Sequence, residues 1–239
     1  MDFEFTIIIP IYNEEANLDR LEKELLNYLP IAIKKTCVLF VNDGSTDNSL
    51  LKIKSICEHK AFSFISFTEN CGLSTAIKAG FDHTKTPLTG YMDGDLQTTP
   101  YDFNLLLKHA HNYQLVTGAR NKRNDAFIKK ASSTIANKIR RLFTKDGMDD
   151  TGCPLKVIHS NYAKKIPMFR GIHRFLPAMI LLQNGKIKQI PIRHFPRMAG
   201  TSKFGIINRV FSSFADCFAY LWMKRKYIDY TIESKKELH

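Results

Sequence analysis

The five cysteines of this 239-residue chain (Cys37, Cys57, Cys71, Cys153 and Cys217) never fall into a CxxC pair. That spacing argues against a zinc site and against a disulfide framework, and it suits a reducing cytosol. No stretch approaches the ~20 apolar residues that a membrane-spanning helix requires. The opening "MDFEFTIIIPIYNEE" has no basic start, no long apolar region and no small-residue cleavage site, so no signal peptide is expected. An internal repeat, a low-complexity tract and an RNA- or DNA-binding motif are also missing.

What is present is a core-forming composition. The chain is 44% hydrophobic and 11% aromatic, enough for one large domain or one domain with an appendage. Its net charge of +12 is unevenly spread. Residues 1–119 hold 10 Lys and Arg against 15 Asp and Glu, whereas residues 120–239 hold 25 against 8. A split this large points to an anionic partner for the second half: nucleic acid, a phosphate-bearing ligand or an acidic membrane face.

The first half alternates strand and helix signals. Short continuous apolar runs at 5–10, 37–45, 62–67 and 88–95 read as strands buried on both faces. Helical patterns follow them at 13–29, 46–59, 72–83 and 100–112. This order predicts an α/β fold, a mostly parallel central sheet with helices on both faces. The second half is less regular. It offers a basic helix at 125–143, an apolar helix or pair of turns at 171–185, an alternating strand at 186–197 and a long helix at 205–227.

In parallel sheets, ligands bind outside the carboxyl ends of the strands. Three polar clusters fall at those ends: "PIYNEE", "NDGSTD" and "DGDLQ". Taken alone, "NDGSTD" is turn chemistry, but three such clusters on one edge indicate a site. Within "YMDGDLQTTP", Asp93 and Asp95 stand two apart with Gln97 close behind. Like charges that close need compensation. Hard divalent cations prefer oxygen ligands and are often held by one or two carboxylates together with substrate phosphates.

In order and spacing, "IIIPIYNEEANL", "FVNDGSTDNSL", "NCGLSTAIKAGF" and "YMDGDLQTTP" resemble family 2 glycosyltransferases of the GT-A fold. The resemblance is nearest to the polyprenyl-phosphate sugar synthases, of the dolichyl-phosphate mannose synthase kind. "GAR", "DDTGCPLKV", "GIHRFLPAM" and "HFPRMAGTSKFG" look like the later motifs of that group, so the resemblance covers about residues 4–227. It implies a Rossmann-like GT-A catalytic domain, expected at 1–204, and the pattern of the remaining residues predicts a C-terminal amphipathic interfacial helix with a basic tail at 205–239. It also implies metal-dependent sugar transfer from a nucleotide-diphosphate sugar with inversion at the anomeric carbon.

Residue by residue, the resemblance implies that Pro10, Tyr12 and Glu14 line the base and ribose pocket and that Asp43 bonds the base. Gly72 allows close approach beside the nucleotide. Asp93, Asp95 and Gln97 form the Mg2+ or Mn2+ site, with Asp93 also facing the ribose. Arg197 and Lys203 close over the diphosphate, and Arg120, Lys129 and Ser133 meet the acceptor phosphate. The residues expected to carry catalysis are Asp95, Asp150 and Arg120. "DTGCPLK" departs from the usual run of the family by the insertion of Pro154.

Charge discriminates between acceptors. A hydroxyl acceptor needs a general base, for which Asp150 is the candidate. A lipid monophosphate, with a second pKa of ~6, is already ionised and needs only cations to position it. The second half supplies Arg120, Lys122, Arg123, Lys129, Lys130, Arg140 and Arg141. In that case Asp150 orients one of these cations. The helix at 205–227 sets Phe218, Leu221 and Trp222 near one face, ahead of "KRK" at 224–226, a pattern suited to a helix lying in a membrane interface or to one packed on the core.

The leading expectation is therefore an enzyme that is cytoplasmic and peripheral on the inner face of the cell membrane. Its partners would be a UDP- or GDP-sugar donor and a polyprenyl phosphate acceptor. No nucleic acid is expected, and a homo-oligomer is compatible with the sequence. Transfer to a sugar hydroxyl in surface polysaccharide or lipopolysaccharide synthesis is the alternative enzyme. A basic nucleic-acid-binding module is the alternative of another class.

Overall fold

The computed structural model describes residues 2–120, 140–196, 206–228 and 233–234, with the backbone alone described along 206–214. Seven strands form one sheet: β1 (Phe5–Ile11), β2 (Thr36–Asn42), β3 (Phe62–Ser66), β4 (Leu88–Tyr91), β5 (Leu115–Arg120), β6 (Lys156–His159) and β7 (Ile187–Ile192). Their order is β3-β2-β1-β4-β6-β5-β7. All neighbours pair in parallel except β6, which runs antiparallel to both β4 and β5. The sheet is thus mostly parallel, as the β-α repetition implies, with one reversed strand inside it.

The helices are α1 (Glu15–Tyr28), α2 (Ser49–Ile56), α3 (Leu73–His83), α4 (Phe103–Leu107), α5 (Ser160–Lys164), α6 (Leu176–Leu182) and α7 (Ile206–Lys226). The period of a strand divides them between two cores. From β1, Phe5, Ile7, Ile9 and Ile11 point to one face and pack with Leu18, Leu21 and Leu25 of α1, Ile53 of α2 and Phe103 of α4. Ile8 points to the other face, against Ala76, Ile77 and Phe81 of α3 and Met179 of α6. β1 is apolar apart from Thr6 because both of its faces are covered, and the Thr6 hydroxyl is paired with that of Thr86 at 2.7 Å. Each buried Leu or Ile contributes about 1.5–3 kcal/mol of transfer free energy, so the two faces hold the sheet from both sides.

Several boundaries differ from the sequence reading. β4 stops at Tyr91, so "DGD" lies beyond the sheet rather than inside the strand. The helix read at 100–112 is a 3-10 turn, Pro100–Asp102, followed by the five residues of α4. The stretch at 171–185 is a 3-10 turn, Ile172–Phe175, running into α6. The helix read at 125–143 lies mostly outside the described residues. In α7, Cys217, Tyr220 and Met223 are buried in the same core as α3, and Tyr220 stacks on Phe175 with centroids 5.7 Å apart. The opposite side of that helix carries Phe218 and Trp222, 54% and 68% exposed. One face of the helix is thus packed on the core, and the other leaves two aromatic side chains exposed.

Candidate active site

The carboxyl ends of the parallel strands share one edge of the sheet. There β1 delivers Pro10, Tyr12 and Glu14, β2 delivers Asp43, β4 delivers Asp93, Asp95 and Gln97, and β5 ends on Arg120. Because β6 is reversed, the segment that precedes it reaches the same edge, and this brings in Asp150.

The first two loops are tied to each other. Asn13 donates its backbone N–H to Ser45 Oγ at 3.0 Å, and its Oδ1 accepts from the Thr46 N–H at 2.7 Å. The Glu14 N–H donates to Ser49 Oγ at 3.0 Å, and the Glu15 N–H to Asp47 Oδ2 at 3.2 Å. Much of "NDGSTD" is therefore a clamp between loops. Asp43 is buried, and its carboxylate accepts from Cys71 N at 2.7 Å, Gly72 N at 2.9 Å and Asn70 Nδ2 at 3.0 Å. Burial raises its pKa, and the N–H groups of Cys71 and Gly72 offset part of that rise. Gly72, at φ 91° and ψ 157°, caps the N-terminus of α3 in a conformation that only glycine adopts easily, and a Cβ there would meet nothing within 4 Å. The space beside it is open to a ligand.

The third loop is pressed into the sheet edge. A Cβ on Gly94 would lie 2.6 Å from Ile11 Cδ1, so glycine lets the loop lie against the end of β1. Leu96 takes a left-handed φ of 56° and buries its side chain in the first core, an uncommon backbone state for a bulky residue. Asp95 is buried and accepts the Gln97 N–H at 3.1 Å. The Gln97 carbonyl accepts the Phe195 N–H at 2.9 Å. Asp102 holds the chain leaving β7: Arg193 donates to it through Nη2 at 2.8 Å and through Nε and its backbone N–H at 3.0 Å.

Beside this loop lies a cluster of charge. Arg120 binds Asp150 with two parallel bonds, Nε to Oδ2 and Nη2 to Oδ1, each 2.7 Å, and its backbone N–H adds a third at 3.2 Å. Burial pushes the Asp150 carboxyl up, but the bonds and charge of Arg120 outweigh it and hold the group below the usual carboxylate range. Arg120 is shifted up in return, its own burial being outweighed by Asp150. Lys156 is fully buried behind the pair. Its ammonium donates to the carbonyls of Cys153 and Thr151 and lies 5.2 Å from the centroid of the Tyr91 ring. Burial pushes its pKa down to about 8, against the opposing pull of Asp150 and Asp93. Asp93, Arg120, Asp150 and Lys156 thus share one electrostatic neighbourhood.

Arg120 and Asp150 are bonded to each other, at the sheet edge that also carries the acidic loop. Lys129, Ser133, Arg197 and Lys203 lie outside the described residues. Arg140 is not open to an acceptor: it is buried against Asp146 and donates to the Met148 carbonyl at 2.8 Å. Arg141 pairs with Asp149 at 2.7 Å. Lys156 and the Asp102–Arg193 clamp were not foreseen as site residues. The signal for Lys156 was a lysine inside an apolar run, "CPLKVI".

The donor set of the acidic loop fits a hard divalent cation, with two carboxylates and an amide oxygen within five residues. Among the described residues, no group of three or more His, Cys, Asp or Glu side chains gathers to hold a metal. An ion here would share its coordination with ligand phosphates.

Comparison with known proteins agrees with this fold. The model of the family described as glycosyl transferase family 2 matches residues 6–166. The chain is similar to the dodecaprenyl-phosphate galacturonate synthase of Rhizobium johnstonii, 28% identical over 229 residues, which are 93% of this chain and 68% of that protein. It is similar to the undecaprenyl-phosphate 4-deoxy-4-formamido-L-arabinose transferase of Shewanella sediminis, 30% identical over 211 residues, which are 86% of this chain and 63% of that protein. The chain thus spans roughly two thirds of the length of these relatives. Its fold is similar to that of glucosyl-3-phosphoglycerate synthase from Mycobacterium tuberculosis in complex with Mn2+, uridine diphosphate and glucosyl-3-phosphoglycerate. There the TM-score is 0.71 at 13% identity, covering 95% of this chain and 81% of that one. A mannosyltransferase from Pyrobaculum calidifontis in complex with GDP-Man and Mn2+ gives a TM-score of 0.62 at 14% identity, covering 95% of this chain and 70% of that one.

Proposed function

Since the chain belongs to glycosyl transferase family 2, we propose that it moves a sugar from a nucleotide-diphosphate sugar to a polyprenyl phosphate carrier lipid. The observation that carries this reading is the engagement of Asp150. Both of its carboxylate oxygens are bonded to Arg120, and its pKa is held down. A carboxylate in that state is a poor general base, and a hydroxyl acceptor needs one. A phosphate monoester at neutral pH has no proton to lose before attack. It needs a fixed cation, and Arg120 is such a cation, oriented by its bidentate partner. The two curated relatives above carry dodecaprenyl- and undecaprenyl-phosphate in their names, which supports the same acceptor class.

The reaction balances without a base. A phosphate oxygen bonds to the anomeric carbon as the bond from that carbon to the diphosphate breaks, with inversion, and the electron pair leaves with the nucleoside diphosphate. Asp93, Asp95 and Gln97 would hold Mg2+ or Mn2+, which supplies positive charge for the departing diphosphate. Pro10, Tyr12, Glu14, Asp43 and Gly72 would form the nucleotide side of the site, Arg197 and Lys203 would bind the diphosphate, and Lys129 and Ser133 would bind the acceptor phosphate together with Arg120. Residues 1–204 would act as the catalytic domain. In 205–239, α7 would rest on the inner face of the cell membrane through Phe218 and Trp222, with the exposed Lys224, Arg225 and Lys226 nearby. Among the described residues, no helix is long and apolar enough to cross a membrane.

Two measurements test the reading. UDP-, GDP- and dTDP-sugars, each with Mn2+ or EDTA, are expected to give a metal-dependent rise in melting temperature for one nucleotide class. That rise is expected to vanish in Asp95→Asn. Polyprenyl phosphate is then expected to trigger release of the nucleoside diphosphate. Release with a glycan acceptor and none with lipid phosphate would overturn the acceptor assignment.

A further inference from the structure

The position of Lys156 in the sheet has a consequence for Arg120. β6 is the strand between β4, which leads to the acidic loop, and β5, which ends on Arg120. In the ladder, Lys156 stands opposite Tyr91 on one side and Thr117 on the other. Tyr91 is two residues before Asp93, and Thr117 is three before Arg120. A fully buried ammonium at the centre of a sheet is costly unless it is paired and hydrogen-bonded. This one is satisfied by the carbonyls of Thr151 and Cys153, within the turn that follows Asp150, and by the face of Tyr91. An apolar side chain would fill the same space at lower cost but would leave those carbonyls buried without this donor. The charge therefore fixes the turn.

We propose that Lys156 is a positioning residue: by holding the Thr151–Cys153 turn against Tyr91, it fixes Asp150, and through Asp150 the direction of the Arg120 guanidinium. It does not touch the reacting atoms. Its functional consequence rests on the reading that Arg120 meets the acceptor phosphate. The link is geometric and runs from the ammonium to the turn, from the turn to the carboxylate and from the carboxylate to the guanidinium. It also joins the acidic loop to the acceptor cation across a single buried side chain.

The test uses the Arg120 Nε–H resonance in the 15N spectrum of the full chain, assigned by its loss in Arg120→Lys. Its bond to Asp150 sets its position. In Lys156→Met the resonance is expected to move toward that of a solvent-exposed arginine. In the same variant the KM for a polyprenyl phosphate is expected to rise at least tenfold, while the melting rise with nucleotide-sugar and Mn2+ is kept. Leu25→Ala, a core truncation in α1 far along the chain, controls for simple destabilisation and is expected to leave the resonance in place. Tyr91→Leu removes the ring beside the ammonium and is expected to move the resonance in the same direction by a smaller amount. It decides the matter alone if Lys156→Met does not fold. A resonance unmoved in the foldable variants overturns the proposal, and so does an equal movement in Leu25→Ala. If the wild type fails to use polyprenyl phosphate while the resonance still responds to Lys156, the acceptor reading falls and the positioning role stands.

Discussion

Asp150 shows how a single residue separates two chemistries that the sequence left open. The residues alone allowed it to be a base for a hydroxyl or an orienter of a cation. Its two short bonds to Arg120 favour the second. They also make a pH prediction. A carboxylate whose folded pKa is depressed adds stability that is complete above its ordinary value of 3.8 and is lost as pH falls through the lower folded value. Asp150→Asn removes that contribution and breaks a mostly buried pair, which costs about 3 kcal/mol at neutral pH. Denaturant unfolding of the two proteins should therefore give a gap that stays constant from neutral pH to about pH 4 and narrows below it. A gap that does not change down to about pH 3 would mean that the pair does not hold Asp150 ionised. Asp150 was legible as a candidate through the resemblance and the chemistry of the acceptor, not through its place on the sheet. The rule that ligands gather at the carboxyl ends of strands cannot find it, because it precedes a reversed strand.

At the scale of elements, the repeating strand-helix half was legible and the insertions were not. β1 and β2 announce themselves as apolar runs because both faces of the sheet are covered. β6 has four residues, one of them the buried Lys156, so its pattern resembles neither an alternating nor a continuous strand. β5 is six residues long and ends in "GAR", which reads as a motif before it reads as a strand. The loop clusters carried a mixed signal. "NDGSTD" is both a turn and part of the site edge, because its hydroxyls and carboxylates hold neighbouring loops in place while Asp43 secures the 70–72 turn. Gly72 isolates the backbone contribution. A Cβ there meets no atom within 4 Å, so only the φ of 91° opposes substitution. Gly72→Ala is expected to cost about 1–3 kcal/mol from strain of that kind. For a chain of this size the melting temperature falls by about 2–4 °C per kcal/mol. The nucleotide-dependent rise should weaken as the turn relaxes away from its glycine geometry. An unchanged melting temperature and an unchanged rise would show that the turn tolerates a side chain and that its conformation is not needed for binding.

At the scale of the molecule, the two halves differ in charge, but a count of cations overstates what a phosphate can reach. Arg140 is spent on Asp146 and the Met148 carbonyl, Arg141 on Asp149, Arg193 on Asp102, and Lys156 on the interior of the sheet. Arg174 lies 3.7 Å from Asp216 of α7, which helps fix that helix on the domain. With its buried side fixed by Cys217, Tyr220 and Met223, α7 cannot turn Phe218 and Trp222 inward without giving up core contacts. Leu142 is exposed as well, and Phe143 meets Phe218 edge-on with centroids 5.7 Å apart. Aromatic side chains beside Lys224, Arg225 and Lys226 match an anionic interface, where rings enter the headgroup boundary and lysines meet lipid phosphates. Burying two such side chains is worth about 1.5–3 kcal/mol each, so replacing both should reduce partitioning by at least about tenfold. Co-sedimentation with vesicles containing phosphatidylglycerol is the measurement, with phosphatidylcholine vesicles and high salt as comparisons. Wild type is expected to bind the anionic vesicles in a salt-sensitive way, and Phe218→Ser with Trp222→Ser to lose that binding. The double variant should keep the metal-dependent melting rise with nucleotide-sugar, since neither side chain lies at the sheet edge. Equal sedimentation of both proteins would assign the exposed aromatics to some other contact and leave the lipid acceptor to reach Arg120 by another face.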